Sequence, residues 1–124
     1  MVGSALIPQE TVDRLAAISP EVRASLVLNG GGRVAAHAGV GDAEEMTATA
    51  RDLLAAADAA SDRSSTSPAM RLEVSGPLGG VFAVRSDATG ADRSTLVAVT
   101  APGALSALIL YDMRMSLRGE GESQ

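Results

Sequence analysis

Few residues of this sequence are suited to catalysis. His37 is the only histidine, and the chain has no cysteine. A histidine base needs a nucleophile and an orienting acid within hydrogen-bond reach. Ser25 is a candidate neighbour of His37 across a predicted hairpin, but the spacing singles out no triad. We interpret His37 as a structural or surface residue. A serine hydrolase built on Ser25 and His37 is kept as a hypothesis that ranks behind the two functions given at the end of this subsection.

The segment Gly39-Val40-Gly41 stands between a predicted strand and a predicted helix, where phosphate-binding loops occur. However, Glu44 takes the place of the third glycine in the G-x-G-x-x-G pattern. Asp42, Glu44 and Glu45 already satisfy the helix dipole and would repel a phosphate. We therefore interpret the segment as a loop and helix cap. The sequence has no G-x-x-x-x-G-K-[ST] motif, so it does not carry the P-loop of a nucleotide-hydrolysing enzyme.

No metal or cofactor is expected. Without cysteine there are no thiolate ligands and no disulfides. Asp62, Asp87 and Asp92 fit no calcium-loop spacing and are interpreted as turn residues. Arg85 and Arg93 flank the loop after the fourth predicted strand. They are the candidate contacts for a partner's acidic groups, and the alternative is that both are solvated.

The composition favours one small domain with an aliphatic core. The 124 residues are 46% hydrophobic but only 2% aromatic, so Val, Leu, Ile, Met and Ala must fill the interior. A net charge of −5 gives no basic footprint for nucleic acid, and the scarce aromatic residues give no stacking platform for bases. All ten basic residues are arginine. Nucleic acid is therefore not an expected partner.

The chain ends carry no predicted targeting or membrane segment. Residues 5–7 are the only apolar run near the N-terminus, and no basic region precedes them. The run Ala104–Leu110 is too short to span a bilayer. We expect a cytoplasmic protein without membrane insertion. The predicted organisation is a flexible arm over residues 1–7, one domain over residues 8–118 and a disordered tail over residues 119–124.

The clearest predicted helix is Asp42–Ala60. Asp42 is a good N-cap, and Glu45 stands at the capping-box position. Helical periodicity predicts one buried stripe with Leu54 at its margin: Met46, Ala50, Leu53, Ala57 and Ala60. The opposite face carries a second stripe of small residues with one acid among them: Ala48, Asp52, Ala55 and Ala59. That second face could accept another helix.

Shorter elements surround this helix. A first helix is predicted from Pro8 to Ile18. Two strands, Ala24–Asn29 and Arg33–Ala38, form a hairpin that reverses at Gly30-Gly31-Gly32. After the long helix, Ser61–Pro68 has no apolar anchor and is predicted to be a surface loop.

Three strands and a helix complete the chain. Met70–Ser75 alternates between apolar and polar residues, and Val81–Val84 and Thr95–Thr100 follow. The last helix is predicted to open at Pro102-Gly103. Its predicted apolar side consists of Leu105, Leu108, Ile109, Met113 and Leu117. The order is α-β-β-α-β-β-β-α, which predicts an α+β fold: a five-stranded antiparallel sheet with the middle helix on one face and the terminal helices on the other.

Two segments resemble the Roadblock/dynein-light-chain family, specifically bacterial members that accompany small Ras-like GTPases. The run from Leu26 to Ala36 is similar to the family's first hairpin, although Gly31 stands where an Asp is usual. The run from Leu108 to Met113 is similar to a Tyr-acidic-Met step in the last helix of actinobacterial members. The resemblance covers about residues 6–118 and implies a Roadblock/profilin-like fold.

The resemblance also implies a homodimer in which the third strands pair and the middle helices stack. On this chain the implied interface consists of Ala48, Arg51, Asp52, Ala55, Ala59, Met70, Leu72 and Val74. Small residues would let the helices approach closely. The alternative is that these alanines are only good helix formers on a solvated face.

The predicted function is a non-enzymatic dimeric scaffold. As the resemblance implies, it would bind a small Ras-like GTPase, with a sensor kinase complex as a further partner, and modulate the nucleotide state of the GTPase. A second hypothesis is a small-molecule-sensing or purely structural domain with the same layers. A sensing domain would need a cavity with polar lining between helix and sheet.

Overall fold

The computed structural model describes residues 7–66, 69–87 and 92–118. Three helices and five strands follow in the predicted order. They are α1 (Pro8–Ile18), β1 (Val22–Leu28), β2 (Val34–Ala38), α2 (Ala43–Arg63), β3 (Arg71–Gly76), β4 (Gly79–Arg85), β5 (Thr95–Thr100) and α3 (Ser106–Arg118). None of the helices within these ranges combines the length and apolarity that a bilayer crossing requires.

All five strands form one antiparallel sheet in the order β2-β1-β5-β4-β3. The first two strands form the predicted hairpin, and β5 lies between the two hairpins at the centre. β2 and β3 are therefore the edge strands. The predicted fold class is confirmed.

Strand alternation divides the core into two layers. One face of the sheet packs on α1 and α3 through a cluster of Val12, Leu15, Val27, Ala36, Phe82, Val84, Leu96, Ala98, Ile109 and Met113. The other face packs on α2 through a smaller cluster of Leu26, Leu28, Ala50, Leu54, Ala83 and Val97. The terminal helices contact each other, and α2 is alone on its face. The three-layer prediction is therefore correct.

The start of α2 agrees with the sequence, but its buried stripe is rotated from the predicted one. The Asp42 carboxylate accepts a hydrogen bond from the backbone N–H of Glu45 at 3.0 Å, as expected of an N-cap. The buried residues are Thr47, Ala50 and Leu54, whereas Ala60 is exposed. Leu54, which we placed at the margin, lies at the centre of the contact.

The adjacent leucines of α2 explain this rotation. Leu53 and Leu54 are separated by 100° around the helix, so the predicted and the observed rotation of α2 each bury one leucine. In the structure Leu54 packs against the sheet and Leu53 is only half-buried. The helix also continues to Arg63, so the first residues of the predicted loop Ser61–Pro68 are helical.

The start of α3 and part of its apolar side were predicted wrongly, whereas Ile109, Met113 and Leu117 pack in or against the core as predicted. The helix begins at Ser106, and the preceding Gly103 has a φ of +84°, which belongs to a turn. Ile109, Met113 and Ser116 are its buried residues. The predicted core residues Leu105 and Leu108 are 71% and 51% exposed. Leu105 precedes the helix and Leu108 faces solvent, so periodicity alone overstated the apolar side.

Other bounds differ by one or two residues. β3 begins at Arg71, so Met70 is an exposed residue before the strand. The predicted arm over residues 1–7 and the predicted tail over residues 119–124 lie outside the described residues, apart from Ile7.

Candidate functional site

The face of α2 that points away from the sheet is exposed along its length. Ala48, Arg51, Asp52, Ala55 and Ala59 are all exposed. We call these five residues the small-residue face. Three of them are alanine, so another helix could approach the α2 backbone closely.

Among the described residues, no strand pairs with the outer side of the edge strand β3. Its register pairs Leu72 with Ala83 and Val74 with Val81, and the backbone N–H of Arg85 donates to the Met70 carbonyl at 2.9 Å. Hydrogen-bonded pairs recur at every second residue of an antiparallel ladder. Met70, Leu72 and Val74 therefore bond to β4.

The intervening residues of β3 direct their backbone groups outward. The N–H and C=O groups of Arg71, Glu73 and Ser75 point to the open edge. The Glu73 carboxylate accepts hydrogen bonds from the hydroxyl groups of Ser106 and Ser75, which hold its pKa below the usual value. β3 is therefore held in place by β4 and by the Glu73 contacts, and the backbone groups on its outer side are available to another strand.

Arg85 connects α2 with the segment that precedes β3. This residue continues the alternation of Val81 and Ala83 on β4, so its side chain points toward α2. Its Nη1 lies 2.6 Å from Asp58 Oδ1 and its Nη2 lies 2.9 Å from Asp58 Oδ2. Nη1 also donates to the carbonyl of Ala69 at 2.9 Å, just before β3.

The Arg85–Asp58 pair bears on the sequence alternative in which Arg85 is solvated. The Arg85 side chain is only 11% exposed, so it is not a solvated arginine. Asp58 is 46% exposed and turns toward the sheet. The hydrogen bond from Arg85 holds the pKa of Asp58 below its usual value. Burial opposes this effect, and the charges of Arg85 and Arg93 add to it.

Replacing Asp58 with asparagine should destabilise the fold at neutral pH. The loss of a bidentate charged hydrogen bond, discounted for its partial exposure, should lower the free energy of unfolding by about 1–2 kcal/mol. Because the folded chain depresses the pKa of Asp58, the pair stabilises above about pH 4, and this contribution is lost as pH falls through the folded value. Urea unfolding at pH 7 and at pH 3 measures both effects.

The matched control for this substitution is Asp62→Asn, which removes an exposed carboxylate one turn further along α2. It should change stability by less than about 0.5 kcal/mol. An Asp58→Asn protein as stable as Asp62→Asn at pH 7 would contradict a structural role for the pair.

A second arginine, Arg51 of α2, contacts the first hairpin. The Nε of Arg51 donates to the carbonyl of Gly32 at 2.7 Å. This bond uses one of the five N–H donors of the guanidinium. The hairpin turn is itself ordered by Asn29, whose side-chain oxygen accepts hydrogen bonds from the N–H groups of Gly31 and Arg33. Arg51 is therefore held between α2 and the turn.

These contacts border a groove between α2, the first hairpin and the ends of β4 and β5. Its volume is about 440 Å³. Three arginines and one acid line it, with apolar side chains beneath: Arg51, Asp58, Arg85, Arg93, Leu28 and Leu54. We call it the arginine groove. A neighbouring depression of about 360 Å³ shares Asp58, Arg85 and Arg93 with it.

Comparisons with family models and with curated proteins find no match, but several solved structures align with this chain. No family model matches the chain, and no curated protein matches it either. The Roadblock/LC7 domain of Streptomyces avermitilis aligns with a TM-score of 0.75 and 19% identity, over 90% of this chain and 92% of that one. The chain has the Roadblock fold.

Two further Roadblock-fold structures support this assignment. MglB of Myxococcus xanthus has a TM-score of 0.69 and 16% identity, over 93% of this chain and 87% of that one. An MglB structure with a tetrameric arrangement has a TM-score of 0.67 and 14% identity, over 96% of this chain and 93% of that one. At these identities the likeness establishes the fold alone.

Ser25 and His37, the two residues of the serine hydrolase hypothesis, are not opposite each other in the sheet. Leu26 is opposite His37 in the hairpin, and Ser25 is opposite Ala38. Neighbouring residues of a strand point to opposite faces, so Ser25 and His37 lie on different sides of the sheet. Ser25 is buried, and His37 is exposed on the α2 side. They cannot form a catalytic pair in this structure.

Gly39, the first of the two glycines before α2, is required by the local backbone. Gly39 has a φ of +71°, and a Cβ on it would lie 2.4 Å from the carbonyl oxygen of Arg23. The turn therefore requires glycine, in keeping with the interpretation as loop and cap. Within the described ranges no cluster of His, Asp and Glu has the arrangement of a metal site.

The interface residues predicted from the sequence lie on α2 and at β3. The five residues of the small-residue face are exposed on α2, and Met70 and Val74 are 37% and 50% exposed at β3. Leu72 is half-buried against the α2 cluster. The Arg51–Gly32 and Asp58–Arg85 contacts were missed. Alternation along β4 could have indicated that Arg85 points toward α2, but nothing local identifies its acid.

Proposed function

We propose that this chain is a non-enzymatic regulatory scaffold that works as a homodimer. The observation that supports this most is that one protomer exposes both the small-residue face of α2 and the outer edge of β3. The Roadblock fold and the tetrameric arrangement of one MglB neighbour support self-association at a coarse level. In the proposed dimer the β3 strands pair and the α2 helices stack.

The proposed partner of the dimer is a small Ras-like GTPase. This follows from the family resemblance in the sequence and from the likeness to MglB. The dimer would present a doubled α2 surface to the switch region of the GTPase and bias its nucleotide state. Arg93 and the rim of the arginine groove are the proposed contacts for its acidic groups. A sensor kinase complex is a further proposed partner, and the proposed compartment is the cytoplasm.

Binding to the GTPase should depend on its nucleotide. We expect calorimetry with a small Ras-like GTPase of the same organism to show binding that differs between the GDP state and a non-hydrolysable GTP state. Arg93→Glu should weaken this binding about tenfold or more, because it reverses a charge at the proposed contact.

The matched control is Arg23→Glu, which makes the same charge reversal on an exposed residue of β1. It should leave the affinity unchanged. An absence of binding in both nucleotide states would remove the GTPase proposal and leave the dimer proposal to be judged separately.

A second candidate function is sensing of a small molecule. The arginine groove has the polar lining between helix and sheet that this hypothesis required, with Asn29 and Thr95 beside the charged residues. Thermal shifts across a metabolite panel would test it, and a specific shift by one ligand class would support it.

A further inference from the structure

We propose that the arginine groove is a binding site for the phosphate group of a small molecule. This inference names the ligand class of the second candidate function and rests on it. One protomer supplies the whole lining of the groove. Arg51 and Ala55 belong also to the small-residue face, and Arg93 is also a proposed GTPase contact, so phosphate binding is measured in the absence of any GTPase.

The first argument is charge. Arg51, Arg85 and Arg93 contribute three positive charges to the lining and Asp58 contributes one negative charge, which leaves +2. The whole chain has a net charge of −5, so this groove opposes the sign of the protein around it. A phosphate monoester carries about −1.5 to −2 at pH 7, which matches the groove better than a single carboxylate does.

The second argument is preorganisation. Arg85 is fixed by Asp58 and by the Ala69 carbonyl, and Arg51 is fixed by the Gly32 carbonyl. These acceptors hold the guanidinium groups in place before any ligand arrives. The planar fork of arginine donates two parallel hydrogen bonds to phosphate oxygens. Little side-chain entropy is therefore lost when an oxyanion binds.

The third argument is shape. Three structural units border this open groove: α2, the Asn29–Gly32 turn, and the ends of β4 and β5. Its volume of about 440 Å³ accommodates a phosphate with an attached organic group. Leu28, Leu54 and Ala55 provide an apolar surface for that group, and Asn29 and Thr95 provide polar contacts.

The probe for this site is inorganic phosphate, titrated at constant ionic strength and pH 7.5 against the full chain. NMR signals of the arginine Nε–H groups report binding at each guanidinium. We expect saturable shifts confined to Arg51, Arg85 and Arg93, and a dissociation constant at least tenfold weaker in Arg51→Gln and in Arg93→Gln. The control Arg23→Gln removes an exposed arginine outside the groove and should bind phosphate as the wild-type chain does.

Two further arms use the unmodified chain, so the test does not depend on the folding of a variant. Acetate at the same ionic strength should leave the three signals in place. An octaglutamate peptide should bind more weakly than phosphate. Shifts that do not saturate, or that spread over all ten arginines, would overturn the proposal. Binding of the peptide without binding of phosphate would also overturn it, because the oxyanion would then come from a protein side chain.

Discussion

Replacing Ala55 with arginine should turn a dimer of this chain into monomers. Ala55 is exposed at the middle of the small-residue face, so the substitution removes no contact within the protomer. At a close contact between two helices, the arginine would be buried without a partner charge. That costs about 3–5 kcal/mol, which weakens self-association by about two orders of magnitude or more.

Sedimentation velocity over a range of concentrations measures this effect. Ala55 also lines the arginine groove, so Ala48→Arg provides a second substitution on the same face outside the groove. The matched control is Ala17→Arg on α1, which adds the same side chain to an exposed helical position in the other layer. Dimers that survive both Ala48→Arg and Ala55→Arg would show that the helix contact is placed wrongly.

Proline in place of Glu73 should also abolish the dimer while leaving the protomer folded. The N–H of Glu73 points to the open edge of β3, so a proline there removes no hydrogen bond to β4. Its ring would block a strand that approaches this edge, and the lost interstrand hydrogen bonds are worth about 0.5–1.5 kcal/mol each. We expect the dissociation constant of the dimer to rise about tenfold or more.

The control for this substitution is Glu73→Ala, because proline also removes the carboxylate that accepts from Ser75 and Ser106. Alanine removes the carboxylate and keeps the N–H, so it should preserve the dimer. Equal weakening by Glu73→Ala and Glu73→Pro would mean that the side chain, rather than the strand edge, supports association. Circular dichroism of both variants verifies that the sheet is retained.

Element order and strand positions could be predicted because their signals are local. Gly30-Gly31-Gly32 supplies a reversal, Asp42 supplies a helix cap, and the alternation from Met70 to Ser75 has the period of a strand. Each of these features is decided by residues within a few positions of one another. The structure has them as expected, apart from small shifts of the bounds.

The rotation of α2 and the partners of its charged residues could not be predicted in the same way. Leu53 and Leu54 make two orientations nearly equivalent, and the shape of the sheet decides between them. Arg85 and Asp58 are 27 positions apart, and Arg51 and Gly32 are 19 positions apart. Their meeting depends on the angle at which α2 crosses the strands, which no local pattern specifies. The arginine groove was missed for the same reason.

The mass of the unmodified chain in solution tests the central claim most directly. Sedimentation equilibrium at micromolar concentrations should give a species of twice the 12.5 kDa of one chain, because the small-residue face and the β3 edge are proposed to be covered by a second copy. A single species of 12.5 kDa at every concentration would contradict the account.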